Sequence, residues 1–209
     1  MMVRNANRRL VFSIMIGIFL ISMVGLGACA RLAPAPTPAP TPTTSPAPAP
    51  KTGWVPDGVI NPEEYTGMKT YDDYEIYWDS DEEYIYVGIK AKTSGFVAMA
   101  VQPGSLMKNA DMVFGFVKDG EATIYDMFSI GDNGPHPPDT ELGGTNDILE
   151  FGGSEEDGFT TIEFKRALDT GDDHDNPLSK GVNKIIWSYG SSDSPTLKHF
   201  NRGYGELNL

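Results

Sequence analysis

"YEIYWDSDEEYIYVGIKAKTSGFVAMAV" (residues 74–101) holds three short apolar runs, "YEIYW" (74–78), "YIYVGIKA" (84–91) and "GFVAMAV" (95–101), parted by turn formers. Runs this short, rich in aromatic and β-branched side chains, suit strands better than helices. The same grain continues in "DMVFGFV" (111–117), "ATIYDMFSI" (122–130), "FTTIEF" (159–164) and "KIIWSYG" (184–190). "DSDEE", "KDGE" and "EEDG" supply turns, with Gly or Asp where a positive φ is easiest. Beyond the N-terminal run no window keeps a helical i, i+3, i+4 period, and "NPEEYT" is the best candidate for a single helical turn. Seven or more short strands predict an all-β fold, an antiparallel immunoglobulin-like β-sandwich, over residues 53–209.

The residues ahead of that domain read as address and spacer. Arg4, Arg8 and Arg9 precede "LVFSIMIGIFLISMVGLGA", and residues 1–50 contain no acid. The apolar run ends in "LGAC", which resembles a bacterial lipobox. That makes residues 1–28 a lipoprotein signal peptide and Cys29 a lipidated N-terminus; an uncleaved signal anchor is the other reading. Either one puts the rest of the chain outside the cytoplasmic membrane, tied to the bilayer. "RLAPAPTPAPTPTTSPAPAPKT" (31–52), within a 29–52 linker, favours extended polyproline II, which would span roughly 70 Å.

Composition excludes several functions. Cys29 is the only cysteine, so the chain can form no internal disulfide, thiolate metal site or c-type haem attachment. Without Arg4, Arg8 and Arg9 the basic count falls from 16 to 13 against 29 acids, a formal charge of −16. So acidic a surface repels nucleic acid and anionic headgroups.

Catalytic constellations are scarce. There is no GxSxG, and the three histidines, His136, His174 and His199, show no zinc-type spacing. "DTGDDHDN" (169–176) fails the calcium-loop pattern, because position six is His174 and position twelve is Lys180. A solvated turn is the plainer reading there, as it is for "EED" at 155–157. Long connections at 131–147 and 165–181 are the places where a loop site would be expected. Met107 stands in a polar turn, "LMKNAD", and His199 is near the C-terminus. A thioether and an imidazole together hold haem iron in many electron-transfer cytochromes. Taken singly, a methionine is more often core and a histidine more often solvated.

The order of segments says more than any one of them. "DGVINPEEY" (57–65), the stretch 74–101, "MKNADMVFGFVKDG" (107–120), "FKRALDTGDDHDNPL" (164–178), "IIWSYG" (185–190) and "KHFNRGYGELNL" (198–209) follow one another across the domain. That series resembles the DOMON family, extracellular β-sandwiches that include the cytochrome domain of cellobiose dehydrogenase. The resemblance implies non-covalent haem b, with Met107 and His199 as axial ligands of an iron passing single electrons to an unknown redox protein. Arg202 would then contact a propionate, Phe96 and Trp187 would line the pocket, and His136 would be the fallback ligand. It implies a module with no catalysis of its own. Some members of the family bind sugars instead, which suits a carbohydrate-binding or cell-surface recognition module using Trp54, Trp78 and Tyr204. If 111–117 is extended, Met112, Phe114 and Phe116 share one side, expected to be the core side.

Overall fold

The computed structural model describes residues 53–209, so the signal, the lipidation of Cys29 and the linker lie outside the described residues. A 3-10 turn at Pro62–Glu64, within the predicted helical turn, leads into ten strands. These are β1 (Gly67–Tyr71), β2 (Tyr74–Ser80), β3 (Tyr84–Ala91), β4 (Val97–Val101), β5 (Asp111–Lys118) and β6 (Glu121–Phe128), then β7 (Ile148–Glu156), β8 (Phe159–Ala167), β9 (Val182–Tyr189) and β10 (Asn201–Asn208). A short helix, α1 (Asp139–Leu142), separates β6 from β7. Two five-stranded antiparallel sheets result, β1-β2-β3-β8-β7 and β10-β9-β4-β5-β6, as a β-sandwich.

The expected turns form where Asp-Gly pairs allow them. Asp119–Gly120 closes β5 on β6, and Asp157–Gly158 closes β7 on β8, each with two positive φ values. That handedness matches the twist of tight hairpins. Three strands, β1, β7 and β10, escape a reading by apolar run. All three lie at sheet edges, where most residues are exposed or half-buried, and β7 and β10 each carry two internal glycines.

Alternation sorts each strand between two environments. Ile76 and Trp78 of β2, Val87 and Ile89 of β3, Val97 and Met99 of β4, and Ile185 and Trp187 of β9 meet between the sheets as the main core. The residues between them on β4 and β5 (Ala98, Ala100, Met112, Phe114 and Phe116) form a second cluster on the outer side of their sheet. Met112 therefore does not face the sandwich core, contrary to expectation; Val113 and Val117 do.

The outer side of the other sheet is covered by the entering chain. Trp54 and Tyr65 pack on Tyr77 and Tyr86, forming a third cluster. Glu163 of β8 anchors this strap: Tyr65 Oη donates to Oε1 at 2.5 Å and the Gly58 amide donates to Oε2 at 2.8 Å. Trp54 Nε1 in turn donates to Tyr65 Oη at 3.0 Å. Burial raises the Glu163 carboxyl to about 7, against the pull of those two donors.

Candidate functional site

A cleft opens on the outer side of the β10-β9-β4-β5-β6 sheet, with an empty volume of about 680 Å³ including its open mouth. Its floor is made of small groups, Ala98 and Ala100 from β4 and Gly203 from β10, beside the larger Ile186 of β9. Gly203 is required on packing grounds, since a Cβ at that position would sit 2.5 Å from the Trp187 ring.

Two loops reach this floor from opposite ends. In the β4–β9 register Val101 faces Ile185 and Val97 faces Tyr189, so the β4–β5 loop leaves one end of the sheet and the β9–β10 loop leaves the other. The first brings Met107 to the cleft and the second brings His199; both are half-buried and line it. Met107 sits in a tight turn: Lys108 N donates to Ser105 O at 2.9 Å and Ala110 N to Met107 O at 3.0 Å, with positive φ at Leu106 and Asn109. Asn109 N donates to Ser129 O at 2.8 Å, fastening that turn to the segment after β6.

The His199 imidazole is held below its ordinary pKa, first by burial and next by the nearby Arg202 cation. At neutral pH it is an uncharged ring, the form that ligates metals. Arg202 is exposed on β10 at the cleft edge, and Tyr204 beside it is 67% exposed. Leu106, half exposed, completes an apolar rim.

The other predicted residues fall in different places. Trp187 does line the cleft, but its ring belongs to the main core, stacked on Tyr71 and Tyr74. Phe96 does not line it; the ring packs 4.4 Å from that of Phe114 in the second cluster, a correction to its predicted role. His136 is half-buried, with Nδ1 3.1 Å from Ser129 Oγ, and is not among the lining residues. Met112, read as core, contributes to the cleft wall instead. Trp54 and Trp78 are 7% and 6% exposed, with Nε1 atoms bonded to Tyr65 and to the Asn208 carbonyl. Neither ring is open to stack on a sugar.

A second polar centre, which the sequence reading missed, closes one end of the main core. Arg166 of β8 reaches across the sheets: Nη1 donates to Asp111 Oδ2 at 2.7 Å, and Nη2 lies 3.7 Å from Asp175 Oδ2. Carboxylate oxygens of Asp111, Asp126 and Asp175 lie within 4.8 Å of one another. Asp139 is fully buried at the start of α1, where a bridge between Met127 and Pro138 sets it beside Asp126. Burial first, and then the neighbouring acids, push Asp126 up to about 7 and Asp139 to about 8. The 169–176 segment is thus not a wholly solvated turn. Asp175 turns inward, and Asn176 ties the centre to the Met107 turn: its amide donates to Asp111 Oδ2 at 2.9 Å and its side chain to Asn109 O at 2.8 Å.

Comparison with known proteins comes to the same domain. The DOMON domain family model matches residues 70–190. The chain is 29% identical over 140 residues to the mouse "DBH-like monooxygenase protein 1", covering 65% of this chain and 22% of that protein. To the human protein of that name it is 28% identical over 141 residues, covering 65% and 22%. To "MOXD1 homolog 1" of Drosophila melanogaster it is 26% identical over 144 residues, covering 66% and 20%. The chain therefore spans about a fifth of the length of these relatives. Among solved structures, the cytochrome b domain of Coprinopsis cinerea pyranose dehydrogenase aligns with TM-score 0.46 at 16% identity, over 64% of this chain and 74% of that one. The cytochrome domain of Myriococcum thermophilum cellobiose dehydrogenase aligns with TM-score 0.49 at 13% identity, over 65% and 74%.

Proposed function

The chain belongs to the DOMON family, and from that premise we propose that it is an extracytoplasmic haem-binding domain that passes single electrons. The observation that carries this reading is the meeting of Met107 and His199 in one cleft, on loops from opposite ends of the sheet. A soft thioether and an imidazole kept neutral by burial and by Arg202 form a donor set suited to haem iron. When bound, haem b supplies a one-electron ferric–ferrous couple.

The protein's share is binding and orientation. Ala98, Ala100, Met112 and Ile186 give an apolar floor for a macrocycle, and Arg202 at the edge suits a propionate. The open mouth, with Tyr204 and Leu106 on its rim, leaves an edge within reach of a redox protein. The domain then acts as a carrier with no substrate chemistry of its own. Lipidation at Cys29 and the 29–52 linker would hold it to the outer face of the membrane.

Haemin titration into the full chain tests the reading. A stoichiometric Soret band, with the sharp reduced α band of a six-coordinate low-spin haem, is expected. Met107→Leu and His199→Ala should each abolish the low-spin signature. No Soret band, or one that both variants leave intact, would sink it.

A further inference from the structure

The connection from β4 to β5 carries Met107, and its own hydrogen bonds shape only its tip. Gly104 N donates to Lys108 O at 2.9 Å, Lys108 N to Ser105 O at 2.9 Å and Ala110 N to Met107 O at 3.0 Å. Such a tip is a small unit on two stems, so its placement over the cleft has to be fixed from outside it. On one side the segment after β6 supplies backbone bonds, Asn109 N to Ser129 O at 2.8 Å and Ser129 N to Ala110 O at 3.0 Å. On the other side stands the side chain of Asn176. Its Nδ2 donates to Val101 O at 3.2 Å and to Asn109 O at 2.8 Å. Val101 ends β4 and Asn109 lies just ahead of β5, so one amide group clasps both stems. Asn109, at φ 60°, thus has its N–H held by Ser129 and its C=O held by Asn176.

Asn176 is itself fastened where it can do this. Its backbone N–H donates to Asp111 Oδ2 at 2.9 Å, the oxygen that also accepts from Arg166 Nη1. Pro177 follows and disfavours helical backbone at Asn176. Leu178 then enters the main core, and its amide donates to Leu168 O at 2.8 Å. The chemistry at 176 calls for an amide. Two carbonyl oxygens face the side chain, and among groups of this size asparagine offers two N–H donors; aspartate, of the same shape, would set lone pairs against lone pairs.

We propose, on the reading of Met107 as an iron ligand, that Asn176 is its positioning residue: by clasping both stems the amide fixes where the thioether meets the cleft. A methionine on a turn held from one side has more placements to give up when it ligates, and binds the more weakly for it. The 169–176 loop acquires through its last residue a part in the cleft that it does not line.

Amide hydrogen exchange in the haem-free full chain tests the clasp. Asn176→Ala should speed exchange at Lys108 and Ala110 about tenfold or more, as loss of two hydrogen bonds does. Ile89→Val, a core truncation that lowers stability elsewhere, should leave both amides at wild-type rates. Asn176→Ser, which keeps one donor, should fall between, and serves throughout where the alanine chain does not fold. The ferric spectrum and the reduction potential of the haem-loaded chain test the positioning. Asn176→Ala should keep its haem, lose most of the weak red band of methionine ligation, and shift its potential down toward that of Met107→Leu; Ile89→Val should do neither. Unchanged exchange at Lys108 and Ala110 in Asn176→Ala overturns the proposal, and so does faster exchange with the methionine band intact, which makes Asn176 a structural residue only. A wild-type chain that shows no methionine band fails at the functional reading itself, and this role of Asn176 falls with it even where exchange reports the clasp.

Discussion

Asp111 and Met112 are neighbours on β5, and they open onto two unlike regions. Met112 points out to an apolar cleft with half-buried loops on either side; Asp111 points in to a dry cluster of acids around one arginine. The cleft is made of groups that cost little to leave unoccupied, and its chemistry sits on turns at the rim. The acidic centre is the reverse: its charges are expensive where they are, and the fold is organised around neutralising them. An open apolar cleft and a closed acidic cluster are separated by a single step along a strand.

The contrast can be broken most severely at Arg166. Arg166→Met removes the guanidinium paired with buried Asp111 and Asp175, and breaking a buried pair of this kind costs about 3–5 kcal/mol; urea denaturation should read that loss. A much smaller change would show that the acids are already neutralised without the arginine. Met112→Leu should cost under about 1.5 kcal/mol, as an apolar exchange of similar volume, and leave any haem spectrum intact. A lost spectrum would transfer the ligand role from Met107 to Met112.

Glu163 sharpens the picture as a buried acid that is fully bonded. Its folded pKa of about 7 lies above its ordinary value. The folded state therefore holds this proton more tightly than the unfolded chain. Its contribution is full at low pH, below the unfolded pKa, and fades as pH rises through about 7. Glu163→Gln should flatten that part of the stability–pH curve between pH 5 and 8. The smallest stability effect is expected at the rim. Met107→Leu and His199→Ala should stay within about 0.5 kcal/mol of wild type, as half-buried loop changes do, though they are expected to erase the low-spin spectrum. A large loss of stability there would make these residues structural.

Legibility in the sequence followed the same divide. The strands with apolar runs and the Asp-Gly turns were readable because each is decided within a few residues, and edge strands β1, β7 and β10 were not because polar groups and glycines dilute their pattern. Met107, His199 and Arg202 were reached through segment order, and the cleft brings all three together. Phe96 shares the cleft's side of the sheet with Ala98 and Ala100 but packs on Phe114 beyond the lining residues, a position along the strand that its period does not reveal; Met112 was misread because a period-2 strand tells which residues share a side, not which side faces the other sheet. The acidic centre was invisible. Its members stand at 111, 126, 139, 166 and 175, spaced by no motif, and only the pairing of two sheets and the return of the 169–176 loop collects them. Acidic residues in "DMVFGFV" and "TIYDMFSI", inside otherwise apolar strands, were the one local hint.

The strap on Glu163 has a directional consequence. The chain enters the domain across the outer side of the β1-β2-β3-β8-β7 sheet, while the cleft opens on the outer side of the other. A pull on the entering end is borne by the back of the sandwich and leaves the front unobstructed. A domain held by that end therefore opens its cleft on the side away from the attachment, a direction set by the order of the strands.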